Sequence, residues 1–504
     1  MKAFLMYRDR DVDLEADLPS TAAALIQDLG LDTLFGAMAG GDRFLFDMAR
    51  KAVLTSLDEP AAIRYRQQIL ADGLEQPAVI RELYALAVEA IDREKRIWGG
   101  LLNRYPESAL HRSVDVLELF VELLKRLRRI AEEHAAAVHS QGLTRFFAMV
   151  AQELDDAYLR MVEDHLERLR FRDGLVMSAD IGPANRGTHH VLRKRVGKRT
   201  WKDWIGLPDR PGYVYQIPDR DQAGSDALTE LKGRGLSQAA GALAQSTDHI
   251  LDFFQMLRAE LGFYVGCLNV RDTLARKGEP TCFPEPTPAG AAVLTGRGLY
   301  DVCLSLIIRE RVVGNDVAGD GKALVMITGA NRGGKSTLLR GLGLAQLMMQ
   351  CGMFVAAESF RADVRSGMFT HFKREEDASL RSGKLDEELG RMSTLVDLVT
   401  PNSLVILNES FTSTNEREGS EIARQIVRAL LESGVKVFYV THLHDLAQGF
   451  HGEQRADMLF LRAERESDGH RTFRLIEGEP LPTSYGEDVY RRIFQAGGQA
   501  AAAS

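Results

Sequence analysis

The stretch ALVMITGANRGGKSTLLRGLGLAQLMMQ, residues 323–350, decides the fold of the second half of the chain. The apolar run Ala323 to Thr328 is right for one buried strand, and the segment after Thr337 reads as helix. Between them, Gly329-Ala330-Asn331-Arg332-Gly333-Gly334-Lys335-Ser336-Thr337 fits G-x-x-x-x-G-K-[ST] in its required strand-to-helix context. The glycines let backbone N–H groups turn inward around phosphate oxygens, and the helix N-terminus adds positive potential there. Lys335 is then placed to reach the β- and γ-phosphates of ATP, and Ser336 to put its hydroxyl on Mg²⁺.

Downstream, SLVILNES (403–410) contains a second apolar strand, and this one ends in acid. Such a strand is the usual partner of a phosphate loop, because its tip lies beside the metal. Glu409 is the candidate base or orienter of an attacking water. Asn408 stands where Asp is expected. Its amide oxygen accepts a hydrogen bond from a metal-bound water but carries no charge, so weaker Mg²⁺ binding or slower hydrolysis is expected. VKVFYVTH (435–442) is a third strand, and His442 at its end is the candidate sensor of the γ-phosphate. His444 has no such rationale. Strands alternating with helical stretches imply a mainly parallel sheet with crossover helices.

Upstream the chain reads as helical. In residues 112–138 the apolar positions Leu117, Phe120, Leu124, Leu127 and Ala131 recur at spacings of three and four. Residues 151–171 repeat this with Leu159, Val162, Leu166 and Leu169. From Gly174 to Gln222 the composition turns to Gly, Pro and aromatics, which fits short strands and turns. Arg186, Arg193, Lys194, Arg195, Lys198, Arg199 and Lys202 fall in this stretch, with no acid between Arg186 and Lys202. Two readings stand side by side: a solvated charged face, or a contact to a nucleic-acid backbone with Trp201 and Trp204 beside it. Helix resumes from Asp226 to Lys277. The four prolines of EPTCFPEPTPAG (279–290) read as a boundary.

The whole chain has 504 residues, 45% hydrophobic and 27% charged, an ordinary globular composition. The 63 basic and 71 acidic residues give a net charge of −8, which excludes a globally basic nucleic-acid binder but not a local patch. No apolar run approaches the length of a membrane span, and the short run AFLMY near the start is no signal peptide. Cys267, Cys282, Cys303 and Cys351 form no CxxC pair, so reduced thiols in a cytoplasmic protein are expected.

In their order, these motifs resemble the MutS family of ATPases, in the ABC-like branch of P-loop proteins. TGANRGGKST resembles that family's loop, with Ala330 and Arg332 in place of Pro and Met. NESFTSTNEREG is similar to its acidic segment with a Ser/Thr-rich loop, and VTHLHDL to its switch. Ser484-Tyr485-Gly486 resembles a late segment, and Ser382-Gly383-Lys384 loosely its signature segment. VVGNDV (312–317) resembles the stretch that places Asn315 near adenine, and the helices ending in ELGFYVGCLNVRDTLARK resemble its core and lever.

The resemblance implies a homodimer with composite ATP sites, each completed in trans by Thr412, Ser413, Thr414 and Asn415, although these residues would also cap the following helix. It implies DNA, double-stranded or branched, as partner, and no membrane. Glu375-Glu376-Asp377 and Asp386-Glu387-Glu388 read either as a solvated loop or as a charge compensating Asn408. Phe120-Val121-Glu122 matches the letters of the family's mismatch wedge but sits inside an amphipathic helix, so it reads as core. Core-like helices begin within about thirty residues, which leaves no room for a wedge domain of typical size. No Smr-type nuclease domain is seen either. An SMC-like or transporter-type ATPase is disfavoured by the lack of LSGGQ and of a very long coiled coil.

The expected fold is multidomain, α plus α/β. A helical core-like region (1–173) carries a small β-containing basic insertion (174–222). A helical lever and linker (223–288), a P-loop α/β ATPase domain (289–495) and a tail (496–504) follow. The expected function is an ATP-gated DNA clamp that reads DNA structure rather than single mismatches. The alternative is a nucleotide-gated assembly module with weak hydrolysis, acting on a protein or ribonucleoprotein.

Overall fold

The computed structural model describes residues 1–98, 106–172, 174–193, 214–218, 220–374, 383–466 and 471–481. Contacts divide the chain into two units. One comprises Met1–Ala3, Arg81–Val138 and Thr144–Arg258; the other comprises Phe4–Ile80, His139–Leu143 and Ala259–Ser504.

Four helices open the chain: α1 (Ala22–Leu29), α2 (Leu31–Ala39), α3 (Arg43–Leu54) and α4 (Pro60–Glu75). Next come α5 (Pro77–Trp98), α6 (Pro106–His134), α7 (Gln141–Glu153) and α8 (Asp156–Leu169). A hairpin of β1 (Met177–Ile181) and β2 (Gly187–Leu192) precedes α9 (Gln222–Arg276), 55 residues long. The boundary between the units runs within α5, α7 and α9.

In the first unit α6 buries Leu117, Phe120, Leu124, Leu127 and Ala131, the stripe read from the sequence, and Phe120 is fully buried within it. Phe120 and Val121 are therefore core, while Glu122 is exposed on the outer face of the helix. The helix expected over 151–171 is instead broken. Asp155 is extended, and its carboxylate accepts from Tyr158 N at 2.7 Å, so it caps a new helix, α8, rather than continuing the old one. Arg170 closes α8 onto α6 through Glu118 and Asp115.

The second unit holds both larger sheets. After α9 come β3 (Glu285–Thr287), β4 (Leu294–Leu299), α10 (Val302–Ile307), β5 (Asn315–Ala318), β6 (Leu324–Thr328) and α11 (Lys335–Gln350). Then follow β7 (Ser359–Asp363), β8 (Met368–Phe372), α12 (Lys384–Leu398), β9 (Leu404–Asn408) and α13 (Glu416–Glu432). The last elements are β10 (Lys436–Val440), α14 (His444–Gly452), β11 (Met458–Arg465) and β12 (Arg471–Glu477).

The main sheet has the order β12-β11-β6-β10-β9-β8. All its pairings are parallel except the edge strand β12. Every residue of β6, β8 and β10 is buried, as a sheet covered on both faces requires. On α11, 13 of the 16 residues are buried, so this helix is enclosed nearly all round. α13 is one-sided and buries Gly419, Ser420, Ala423, Val427 and Leu430.

A second sheet, β3-β7-β4-β5, is absent from the sequence reading. It absorbs the Pro-rich stretch 279–290. β3 pairs with β7 there, and Cys282 bridges to Val355, so the prolines sit on an edge strand and its approaches instead of a bare linker. Among the described residues no helix is long and apolar enough to cross a membrane.

Candidate functional site

The sequence-chosen residues gather at the carboxyl ends of β6, β9 and β10, where open α/β sheets place their ligands. Register brings them together. Val440 pairs with Asn408 on one side and Ile327 on the other. Past the strand ends, Glu409 N donates to Val440 O (2.8 Å) and Thr441 N to Ile327 O (3.1 Å).

The loop 329–334 is built for close approach of backbone. Gly329 has φ +102° and Gly334 φ +88°. A Cβ on Gly329 would lie 2.9 Å from Ala463 N, and one on Gly333 2.5 Å from Ala463 Cβ. No side chain fits without moving β11. Gly334 is also the N-cap of α11, so the first free N–H groups of a buried helix point into the loop. Arg332, at φ +59°, is exposed on it.

Lys335 is buried and donates to Gly329 O and Ala330 O, each at 3.0 Å. Burial pulls its ammonium down to about 8, while the Glu409 carboxylate opposes that fall. Ser336 Oγ donates to Asn408 Oδ1 at 3.1 Å, so the two residues assigned to Mg²⁺ do converge. Glu409 Oε1 lies 3.0 Å from His442 Nε2. That hydrogen bond holds the Glu409 carboxyl below the usual carboxylate range, against the pull of its half-burial. It is therefore a carboxylate at neutral pH, able to accept a proton.

The loop, Lys335, Ser336, Asn408, Glu409 and His442 thus form a single constellation that fits a nucleotide triphosphate with a divalent cation. Among the described residues no cluster of His, Cys, Asp or Glu could hold a metal by itself, so the cation would rest on Ser336, on Asn408 through water, and on the nucleotide.

Other sequence-chosen residues have local duties. Asn315 Nδ2 donates to Phe473 O (3.2 Å) and its Oδ1 accepts from Leu475 N (2.7 Å), which stitches β5 to β12. Thr412 Oγ1 donates to Glu409 O (2.9 Å) and Thr414 Oγ1 to Glu418 (2.6 Å). Asn415 caps α13 by accepting from Glu418 N at 3.0 Å, as its capping role requires. His444 donates its backbone N–H to Glu416 (2.9 Å).

Of the basic stretch, Arg186 and Arg193 lie at the hairpin. Arg193 Nε donates to Ser178 Oγ at 2.8 Å, and Arg186 O accepts from Gly182 N. Lys194, Arg195, Lys198, Arg199, Trp201, Lys202 and Trp204 lie outside the described residues, as do Glu375, Glu376, Asp377, Ser382 and Ser484 to Gly486.

Sequence reasoning passed over His371 and Lys373 and left the place of Glu388 open. His371, in β8, is buried against the Glu409 turn, and burial pushes its imidazole down to about 4. Glu388 does not lie in a solvated loop: it is buried in α12, and its carboxylate accepts from Phe411 N at 2.6 Å. Lys373 follows β8, gives its N–H to Asn408 O (2.9 Å) and bears on Glu409 by charge. The signals were a lone His in the apolar run MFTHF, and the spacing Glu388, Met392, Leu395, which is the buried stripe of α12.

Comparison with known proteins agrees with this arrangement. The family model described as MutS2 N-terminal domain matches residues 58–277, and that described as MutS domain V matches 325–495. The chain is 37% identical over 186 residues to endonuclease MutS2 of Thermus thermophilus, covering 36% of this chain and 24% of that protein. It is 26% identical over 417 residues to the DNA mismatch repair protein MutS of Streptococcus equi, covering 78% and 47%. It is 29% identical over 432 residues to the DNA mismatch repair protein MSH3 of Arabidopsis thaliana, covering 80% and 38%. The chain spans less than half the length of each of these three relatives. Two family models that together run from the long helices to the last strands, and relatives aligned across most of the chain, show that it belongs to the MutS family.

Proposed function

We propose that this chain is an ATP-hydrolysing, DNA-binding module that works as a homodimer and uses ATP to close on DNA, double-stranded or branched, by its structure rather than by a single mismatch. The observation that carries the reading is the convergence of Ser336 Oγ on Asn408 Oδ1 at 3.1 Å beside the Glu409–His442 pair at 3.0 Å. ATP supplies the phosphoryl group to be transferred, and Mg²⁺ neutralises its charge. The loop N–H groups and Lys335 hold the phosphates. Glu409 orients the attacking water and takes up its proton, and His442 keeps Glu409 ionised and aimed. Thr412 to Asn415 face the second subunit's nucleotide, and Asn315 stands near the base. The exposed Arg186 and Arg193, with the basic residues up to Lys202, supply a sequence-independent phosphate contact.

Asn408 supports the second reading, a nucleotide-gated assembly module acting on a protein or ribonucleoprotein. A neutral amide beside Ser336 weakens the grip on the cation and with it hydrolysis.

One experiment separates the two. Steady-state ATP hydrolysis is measured alone and with homoduplex, mismatched, branched and single-stranded DNA. Stimulation by one DNA form supports the DNA-coupled reading; a flat response with ATP still bound supports the assembly module. Charge reversal at Arg193, Lys194, Arg195 and Arg199 is expected to abolish DNA binding and leave ATP affinity unchanged. Unchanged DNA affinity would remove the basic stretch from the account.

A further inference from the structure

We propose that Glu388, with His371 behind it, is a positioning residue for Glu409. It fixes the strained turn that carries that carboxylate and ties the turn to α12. The proposal rests on reading Glu409 as the residue that orients water for ATP hydrolysis.

The turn 409–411 is strained. Glu409 has φ +55° and Phe411 φ +65°, two side-chain-bearing residues in the left-handed region within three positions. Such a conformation is costly for a residue with a side chain and persists only where its surroundings over-determine it. The main-chain bonds of the turn show what does so. Glu409 N donates to Val440 O (2.8 Å), and Tyr439 Oη donates to Ser410 O (2.7 Å). Both of these partners belong to β10. Phe411 N donates to Glu388 Oε1 (2.6 Å), which reaches across from α12.

Glu388 is only 3% exposed, and its Oε2 accepts no hydrogen bond. A carboxylate buried at such cost is not placed for solubility. The hydrogen bond it does make fixes the backbone two residues from Glu409.

His371 reinforces the tie. Its Nε2 lies 3.1 Å from Glu388 O and its Nδ1 2.8 Å from Ser410 Oγ. A carbonyl only accepts, so in the neutral imidazole Nε2 carries the proton and Nδ1 is an acceptor. The Ser410 hydroxyl then shares one proton between Nδ1 and His371 O (2.7 Å). The ring also stacks on Phe411, with centroids 5.6 Å apart and planes at 18°. Arg391, one turn further along α12, donates to Phe372 O at 3.3 Å. α12 is thereby fastened to the ends of both β8 and β9, so a displacement of α12 moves the Glu409 turn. Without the Glu388 bond the Phe411 N–H is orphaned and the turn can relax. A misplacement of about 1 Å at a reacting group costs on the order of 10²-fold in rate.

The test separates reach from charge. Glu388→Gln keeps the acceptor and its reach but not the charge; Glu388→Asp keeps the charge but falls one methylene short; Glu388→Ala removes both. For ATP hydrolysis, Gln is expected within about threefold of wild type. Asp and Ala are expected to lose about 30- to 100-fold in kcat, with KM for ATP and affinity for a fluorescent ATP analogue within about threefold. Wild-type kcat in Glu388→Asp or Glu388→Ala, or a loss that appears in KM and affinity instead, overturns the proposal. Glu409→Gln is run in parallel. If it hydrolyses ATP as fast as wild type, the reading of Glu409 falls and the proposal with it. If it is inactive while Glu388→Asp is not, only the positioning role falls. Should the Asp and Ala variants fail to fold, amide exchange of the wild type decides: the Phe411 N–H is expected to be protected at least about 100-fold, and exchange at the rate of an open loop refutes the tie.

Discussion

Lys335 and Lys436 sit at opposite ends of the same parallel sheet, and burial pulls both ammonium groups down to about 8. Their surroundings differ. Lys335 has two 3.0 Å bonds to its own loop, two left-handed glycines beside it, and Glu409 opposing its loss of charge. Lys436 starts β10, makes one long bond of 3.4 Å to Gly319 O, and lines a cavity of about 220 Å³. Its charged neighbours Asp363 and Arg365 are paired with each other at 2.5 Å. A lowered lysine pKa therefore records burial. A candidate site is marked by what accompanies it: backbone donors converging on one point, strained turns, and a carboxylate held ionised.

Substituting each lysine in turn separates the two ends of the sheet most clearly. Lys335→Ala is expected to lower affinity for ATP by about 100-fold or more, since on the proposed reading it removes the buried charge that holds phosphate. Lys436→Met is expected to leave ATP affinity and kcat within about twofold. Equal losses in both variants, read by analogue binding, would show that the two lysines serve one function.

A smaller effect is expected at the metal position. Asn408→Asp restores a charge 3.1 Å from Ser336 Oγ. The Mg²⁺ concentration for half-maximal hydrolysis should fall by about tenfold, an estimate of one charge–metal contact in a partly solvated site. No change in a Mg²⁺ titration would remove Asn408 from the cation's surroundings.

The smallest effect is on stability. The folded pKa of Lys436 lies below its ordinary value near 10.5, so between about pH 8 and 10.5 the unfolded chain binds more protons and folding gains as pH rises. Below that window the buried charge is a full burden. Lys436→Met should therefore melt above wild type near pH 7, by a few degrees at most, and that advantage should shrink toward pH 10. A gap independent of pH in thermal melts would contradict the assignment.

How much of this was legible in the sequence follows from which physics is local. The loop 329–337 and the strand tips at 408–409 and 441–442 were readable because phosphate binding demands glycine, lysine and hydroxyl at fixed spacing. The stripe of α6 was readable from its period. The break at Asp155 was not: one capping carboxylate overrode a continuous helical pattern. Nor was the second sheet, whose β4 reads Leu-Thr-Gly-Arg-Gly-Leu and pairs at long range with β7. The place of Glu388 was not legible either, because three acids in a row fit a solvated loop or a charge beside Asn408 equally well, whereas the helix turns the third one inward onto the stripe with Met392 and Leu395.

On the proposed reading Glu409, held ionised by His442 beside the Gly329–Thr337 loop, activates water against bound ATP. The most direct measurement pairs ATP hydrolysis with ATP-analogue binding in wild type and Glu409→Gln. The expected result is a loss of about 10²–10⁴-fold in kcat with binding retained, the range of a positioned general base. Hydrolysis by Glu409→Gln at the wild-type rate, with binding intact, would contradict the account.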